Sequence, residues 1–207
     1  MDAYQYFYDQ EGKPRTRLVN PDYAKTLETI AEDPNVFYRG TLAQAIVAAA
    51  NTPPRAGTLS LEDLGGYRAV KRSPLCIDYR QQQVCGPPPA SSWVGVGMML
   101  GLLEHTSFPT GDREDDWAMV IEAQQLAYAD RDHYVADASR ISVPLAGMLN
   151  KTYLGTRAKL INPKQAIDNV TKGDPWIFEP ETSARSTFGA DTTDDRAGTT
   201  HFVVVDH

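Results

Sequence analysis

The residues best suited to chemistry lie near the end of the chain, in the segment AGTTHFVVVD. Gly198 precedes two threonines, Thr199 and Thr200, and an apolar run follows them. If the bond between Gly198 and Thr199 were cut, Thr199 would carry a hydroxyl and a free α-amine, whose ordinary pKa is about 8. A nucleophile and its base would then belong to one residue and be held together by covalent geometry.

Such a residue is the smallest unit with which an N-terminal threonine hydrolase works. Glycine assists the cut, because it lets the backbone bend until Oγ of Thr199 reaches the carbonyl carbon of Gly198. Transfer of the acyl group from nitrogen to oxygen would give an ester that water can open. The same segment also fits an ordinary strand that begins with polar β-branched residues. Taken alone, the junction favours that second interpretation.

The composition limits the classes of function. The chain has 207 residues, of which 42% are hydrophobic, and 20 Lys+Arg stand against 27 Asp+Glu, for a formal net charge of −7. This is typical of a globular protein of one domain or slightly more. The acidic excess argues against a general binder of nucleic acids or anionic membranes. No apolar run approaches the ~20 residues that span a bilayer, and the first residues do not resemble a secretion signal.

Two cysteines, Cys76 and Cys85, lie in the segment PLCIDYRQQQVCG. They can form a disulfide across a short hairpin, or they can remain a pair of small buried hydrophobic residues. Because two cysteines alone do not form the multi-cysteine pattern of a disulfide-rich protein, the sequence favours the second interpretation. The four histidines have no CxxC or HxxxH partner, so a zinc site is not expected.

Short helices and strands are predicted for the first part of the chain. The dipeptide Asn20-Pro21 predicts the start of a helix, and GTLAQAIVAAAN predicts a second one. Ser60 and Asp63 have the spacing of a capping box, before a short helix that ends at two glycines. The runs YRAVKR, PLCIDY and QQVC predict strands.

Longer helices are predicted after three consecutive prolines. The segment WVGVGMMLGLLE predicts an apolar core helix that is capped by Ser91 or Ser92. The longest predicted helix is DREDDWAMVIEAQQLAYADRDHYVAD, which is acidic in its first turn, as the helix dipole prefers. A shorter helix is expected around residues 153–161. The predicted apolar stripe of the longest helix comprises Trp117, Val120, Ile121, Gln124 and Tyr128.

The composition changes at Glu179. The segment EPETSARSTFGADTTDDRAG, residues 179–198, is rich in Thr, Asp, Ser and Gly, and Phe188 is its only large apolar residue. Such a segment cannot bury enough surface to offset its ordering entropy, so a flexible acidic tether is predicted. The run THFVVVD that follows predicts a strand.

The sequence resembles the γ-glutamyltranspeptidase family (γ-glutamyltransferase, glutathione hydrolase) over nearly its whole length. The specific pieces are FYRG, the LEDL…Y block, PPP before a helix, YADR and TTH, in the family's order. The resemblance implies an α+β fold that is part of an αββα N-terminal-nucleophile hydrolase sandwich, with this portion mostly helical. It implies that a precursor cuts itself at Gly198–Thr199 and that Thr199 becomes the catalytic nucleophile. Thr200 and His201 match the motif and receive no catalytic role.

The resemblance also implies that the chain divides into three segments. Residues 1–178 would be the C-terminal part of the large subunit, residues 179–198 the tether that ends at the cleavage site, and residues 199–207 the first strand of the small subunit. The rest of both subunits, with the substrate-binding residues, would be needed as partners. The isolated chain is therefore expected to be an incomplete and inactive fragment, and a non-catalytic truncated product is one alternative.

The implied activity is transfer of a γ-glutamyl group from glutathione or another γ-glutamyl amide to water, an amino acid or a peptide, without a cofactor or metal. A related cephalosporin or glutaryl acylase is the other alternative, since it shares the fold and the nucleophile. The resemblance implies a periplasmic or secreted location. Neither a nucleic-acid partner nor a membrane segment is expected.

The sequence departs from the family's pattern at two places. Ala90, Ser92 and Trp93 stand where the family often has Ser-Gly-Gly after the prolines, and Val203 replaces a common serine. Neither departure removes the nucleophile. In the segment YADRD, Arg131 and Asp132 are expected to form ion pairs that fix helices rather than to bind a ligand.

Overall fold

The computed structural model describes residues 3–180 and residue 185. The chain divides between Val70 and Lys71 into two units. The helices of the first unit are α1 (Ala3–Phe7), α2 (Pro21–Glu32), α3 (Thr41–Ala50) and α4 (Leu61–Gly66). The second unit contains β1 (Leu75–Tyr79), β2 (Gln82–Gly86), α5 (Trp93–Glu104), α6 (Arg113–Tyr134), α7 (Leu145–Met148) and α8 (Lys151–Ala158). Single 3₁₀ turns occur at Pro34–Phe37 and Pro175–Phe178.

Local hydrogen bonds begin the helices of the first unit where the sequence predicts. The side chain of Asn20 accepts a hydrogen bond from the amide of Tyr23 at 2.9 Å, and Pro21 is the first residue of α2. At α4 the capping box is complete, because Oγ of Ser60 accepts from the amide of Asp63 and the Asp63 carboxylate accepts from the amide of Ser60. Both predictions are confirmed.

The two strands of the second unit form one antiparallel hairpin. Cys76 and Cys85 are direct cross-strand partners in its register and form a disulfide, so the preference for two buried thiols was wrong. The turn consists of Arg80 and Gln81, both with positive φ, which matches the twist of a two-residue hairpin and aligns the cysteines. The predicted strand YRAVKR is also wrong, because that segment pairs with no described strand.

The core of the second unit is built around α5, as predicted. Val94, Met98 and Leu102 are almost completely buried, and α6 and α8 pack against them. Ser92 occupies the N-cap position of this helix, but its side chain makes no cap hydrogen bond. Among residues 3–180, no helix has both the length and the apolar content needed to cross a membrane.

Most of the predicted apolar stripe of α6 is exposed to solvent and does not face the core. Trp117 is 58% exposed, and Ile121 and Tyr128 are also exposed. The buried face instead comprises Met119, Glu122, Ala123, Leu126, Ala127, Asp130 and Tyr134. This face includes two alanines, Ala123 and Ala127, and α6 packs along α5.

Candidate functional site

The residues predicted to carry the chemistry, Gly198 and Thr199, lie outside the described residues, as do Thr200 and His201. The predicted strand 199–207 lies outside them too, and so does most of the predicted tether 179–198. The described residues nearest to the junction in sequence are residues 179, 180 and 185. Their contacts show how the second unit holds the chain that leads to the junction.

The start of that segment is fixed to α7 and to the turn Pro175–Phe178. Oε1 of Glu179 accepts a hydrogen bond from the amide of Gly147 at 2.7 Å. At Gly147 a Cβ atom would lie 1.9 Å from the carbonyl oxygen of Pro175, so only glycine allows this approach. The guanidinium of Arg185 lies 3.7 Å from the carboxylate of Asp174. The chain is thus held by backbone packing and by two polar side chains.

A buried polar cluster stabilises the same side of the second unit. The carboxylate of Asp130 is fully buried and accepts hydrogen bonds from the hydroxyl of Tyr153 at 2.6 Å and from the amide of Gly173 at 2.7 Å. The guanidinium of Arg157 lies 3.3 Å from it and donates a 2.7 Å hydrogen bond to the carbonyl of Thr171. The cluster therefore joins α6, α8 and the segment that precedes Pro175–Phe178.

The protonation of this cluster is governed by burial. Burial raises the pKa of Asp130, against the opposing effects of the Tyr153 hydrogen bond and the Arg157 charge. Burial and the neighbouring carboxylate also raise the pKa of Tyr153, so its hydroxyl stays protonated and remains a donor. Because Asp130 is inaccessible to solvent, it cannot exchange protons with a substrate directly. The cluster is therefore suited to holding α6, α8 and the segment before Pro175–Phe178 in position.

The YADR block contributes a second link. Nη1 of Arg131 lies 2.6 Å from Oδ1 of Asp132, so the two side chains form an ion pair, but within α6 and not between helices. The same guanidinium donates to Oγ of Ser92 at 3.1 Å and so joins α6 to the start of α5. Sequence reasoning missed the buried pair of Asp130 and Arg157. No usable signal was present, because the sequence predicted a different face of α6 as the buried one.

The side chains in the described part of the chain include no group of three or more His, Cys, Asp or Glu residues that could hold a metal ion. The candidate features in the described part of the chain are therefore the anchored segment around Glu179, the buried cluster at Asp130 and the disulfide hairpin.

Comparison with curated proteins finds several proenzymes. The chain is 36% identical over 165 residues to the glutathione hydrolase proenzyme of Escherichia coli (strain K12), which covers 76% of this chain and 28% of that protein. It is 31% identical over 194 residues to the glutathione hydrolase proenzyme of Bacillus subtilis (strain 168), covering 91% and 32%. It is 36% identical over 162 residues to the acylase ACY 1 proenzyme of Pseudomonas sp. (strain SE83), covering 74% and 28%. The chain thus spans about a third of the length of these relatives.

Solved structures share the fold. The γ-glutamyltranspeptidase of Helicobacter pylori matches with a TM-score of 0.68 and 27% identity, covering 82% of this chain and 51% of that one. The cephalosporin acylase of Bacillus halodurans matches with a TM-score of 0.69 and 32% identity, covering 84% and 33%. The expected α+β fold of an N-terminal-nucleophile hydrolase is confirmed. A family model described as gamma-glutamyltranspeptidase matches residues 2–207, and the chain therefore belongs to the γ-glutamyltranspeptidase family.

Proposed function

We propose that the protein is a γ-glutamyl acyltransferase and hydrolase that acts on glutathione and other γ-glutamyl amides. The observation that carries the proposal is the extent of the family match, which continues to residue 207 and so includes the segment AGTTHFVVVD. The identity to two glutathione hydrolase proenzymes supports the same activity. Water, an amino acid or a peptide accepts the γ-glutamyl group.

The proposed nucleophile is Thr199. In the precursor its Oγ attacks the carbonyl carbon of Gly198, the acyl group moves from nitrogen to oxygen, and water hydrolyses the ester. The freed α-amine then accepts the hydroxyl proton while Oγ attacks the γ-glutamyl carbonyl. The leaving amine takes that proton, and water or an acceptor amine releases the γ-glutamyl group from Thr199.

The proposed division of the chain follows from the same reaction. Residues 1–178 belong to the large subunit, residues 179–198 form the tether, and residues 199–207 begin the small subunit. The contacts of Glu179 and Arg185 connect the first residues of the proposed tether to the second unit. The remainder of the two subunits is the proposed macromolecular partner.

An acylase that acts on cephalosporin or glutaryl amides is the second candidate. The identity to the acylase ACY 1 proenzyme is 36%, the same value as for the hydrolase of Escherichia coli, and the cephalosporin acylase of Bacillus halodurans shares the fold. The two candidates differ in the donor, because a γ-glutamyl group carries an α-ammonium that a glutaryl group lacks, whereas both groups end in a carboxylate.

The deciding experiment compares two anilide donors with the full-length protein. We expect release of the anilide from the γ-glutamyl donor, stimulated by a dipeptide acceptor, and a γ-glutamyl adduct on the peptide that begins with Thr199. Release from the glutaryl donor alone would favour the acylase. An adduct on another residue would contradict the assignment of Thr199.

A further inference from the structure

We infer that the Cys76–Cys85 disulfide is a site of thiol–disulfide exchange with a zwitterionic cysteinyl dipeptide that binds in the adjoining pocket. Such a dipeptide is what remains of glutathione once the γ-glutamyl group is removed. The source of the thiol thus rests on the proposed function, whereas the site rests on the hairpin and the pocket.

The hairpin presents the disulfide at the protein surface. Cys85 is exposed, and Cys76 is half-buried. The turn is fixed by Arg80, whose amide donates to the carboxylate of Glu104 at 3.1 Å and whose guanidinium donates to the carbonyl of Phe108 at 2.8 Å. The disulfide therefore lies in a partly exposed hairpin whose turn is held in place, and exposure favours attack by a small thiol.

The pocket beside the hairpin has a volume of about 270 Å³. Cys76 lines it, whereas Cys85 does not, so a ligand in the pocket lies against Cys76. Leu149 and Leu154 supply apolar contacts. The volume lies below that of pockets for drug-sized ligands and suits a molecule of dipeptide size.

The charges around the pocket match a zwitterion. The carboxylates of Asp78 and Glu104 and the ammonium of Lys151 line it together. Neither Asp78 nor Lys151 has an ion-pair partner within the part of the chain that the structure describes. The carboxylates can receive the α-ammonium of a dipeptide, and Lys151 can receive its carboxylate.

The same charges select the dipeptide over glutathione. In an N-terminal cysteinyl dipeptide the α-ammonium lies next to the thiol and lowers its pKa, so more thiolate is present at neutral pH. In glutathione that nitrogen is acylated and carries no charge. Removal of the γ-glutamyl group therefore creates both the ammonium that the pocket receives and a more reactive thiol.

The exchange step is balanced. The thiolate of the dipeptide attacks Sγ of Cys76, a new S–S bond forms, and the bond between the two cysteines breaks. Cys85 leaves as a thiolate into solvent and takes a proton from water. One disulfide replaces another, so no further oxidant or reductant is needed. A second thiol can then release the dipeptide as its symmetric disulfide.

The test measures exchange rates of the oxidised protein with cysteinylglycine, its N-acetyl form and its C-terminal amide. Each rate is divided by the rate of the same thiol with a small symmetric disulfide, which removes differences in intrinsic reactivity. We expect cysteinylglycine to exceed each blocked form by about fivefold, the effect of one exposed ion pair. Peptide mapping after acid quenching should find the mixed disulfide on Cys76.

Variants of the pocket separate binding from reactivity. Lys151→Gln should lower the normalised rate of cysteinylglycine but not of its amide. Glu104→Gln, which keeps an oxygen to accept from Arg80, should lower the rate of cysteinylglycine but not of its N-acetyl form. Lys159→Gln is the matched control, because Lys159 is an exposed lysine that does not line the pocket.

Equal normalised rates for all three thiols, or a mixed disulfide on Cys85, would overturn the inference. The test does not depend on γ-glutamyl turnover, so the Thr199→Ala protein should exchange thiols at the normal rate. Normal exchange in a protein without γ-glutamyl activity would contradict the proposed function alone. Activity without selective exchange would contradict this inference alone.

Discussion

The hydroxyl of Tyr153 donates a 2.6 Å hydrogen bond to the carboxylate of Asp130, which joins α8 to α6 inside the core of the second unit. Tyr153→Phe removes this donor and leaves a buried carboxylate with fewer partners. We expect the free energy of unfolding to fall by about 1–3 kcal/mol. Urea unfolding followed by tryptophan fluorescence measures it, since all three tryptophans lie in the second unit.

The matched control is Tyr128→Phe. Tyr128 lies on the same helix as Asp130 but is exposed, and its ring contacts the guanidinium of Arg131. Its loss of a hydroxyl should change the free energy of unfolding by no more than about 0.5 kcal/mol. Equal effects of the two substitutions would mean that the buried hydrogen bond does not stabilise the fold.

The pH dependence of stability should carry the signature of Asp130. Burial raises its pKa above the ordinary value of 3.8, so just above that pH the folded protein holds a proton that the unfolded chain has released. Its contribution to the free energy of unfolding is fully present below pH 3.8 and falls as the pH rises through the raised pKa. The stability of wild type relative to Asp130→Asn should therefore decline with rising pH.

Urea midpoints of the two proteins between about pH 4 and pH 7 measure that decline, because groups common to both cancel in the difference. A difference that grows with rising pH would mean that the hydrogen bond from Tyr153 and the charge of Arg157 outweigh burial.

Features set by neighbouring residues were predictable from the sequence. The capping box at Ser60 and the helix start at Asn20 depend on hydrogen bonds that span three residues, so local residue types determine them. The resemblance likewise identified the family, because short motifs in order are a property of the sequence alone.

Features set by distant residues were not predictable in the same way. Both faces of α6 carry apolar residues, and the choice between them depends on packing against α5, which is a separate segment of the chain. The partners of Asp130 come from Tyr153, Arg157 and Gly173, which no local pattern connects to it. The disulfide depends on the turn at Arg80, which sets the register of the two strands.

The close packing of α5 can be tested with two glycines of that helix. At Gly101 a Cβ atom would lie 2.6 Å from Cδ1 of Leu154, which is itself buried. Gly101→Ala should therefore lower the free energy of unfolding by about 1–3 kcal/mol through overpacking. At Gly95 the nearest atoms lie 3.9 Å away, on the side chain of Arg131. Gly95→Ala should raise stability by up to about 1 kcal/mol.

Urea unfolding of both variants provides the comparison. If Gly101→Ala proved as stable as Gly95→Ala, α5 and α8 would have to lie farther apart than the structure shows.

The disulfide should stabilise the second unit. Cys76 and Cys85 are nine residues apart and close a short loop. Replacing both by serine should lower the free energy of unfolding by about 2–3 kcal/mol, the entropic value for a loop of this length. The single variant Cys85→Ser should lose a similar amount. Reduction of the wild type should reproduce the loss, whereas reduction of the double variant should change nothing.

The cleavage chemistry proposed for Thr199 leads to the last prediction. Self-cleavage needs Oγ of Thr199 as the attacking atom, and turnover needs the same atom with the freed amine. Thr199→Ala in the full-length protein should therefore leave one uncut and inactive chain. Thr199→Ser keeps the hydroxyl but loses the methyl group that restricts χ1, so cleavage should persist at a lower rate.

Thr200→Ala separates the two threonines. The amine of Thr200 remains in a peptide bond after a cut before Thr199, so its hydroxyl has no adjacent base, and cleavage should continue at the same bond. N-terminal sequencing of the smaller product should read Thr-Thr-His-Phe for the wild type and Thr-Ala-His-Phe for this variant. A product that begins at Thr200, or an active and uncut Thr199→Ala protein, would show that the nucleophile is a different residue.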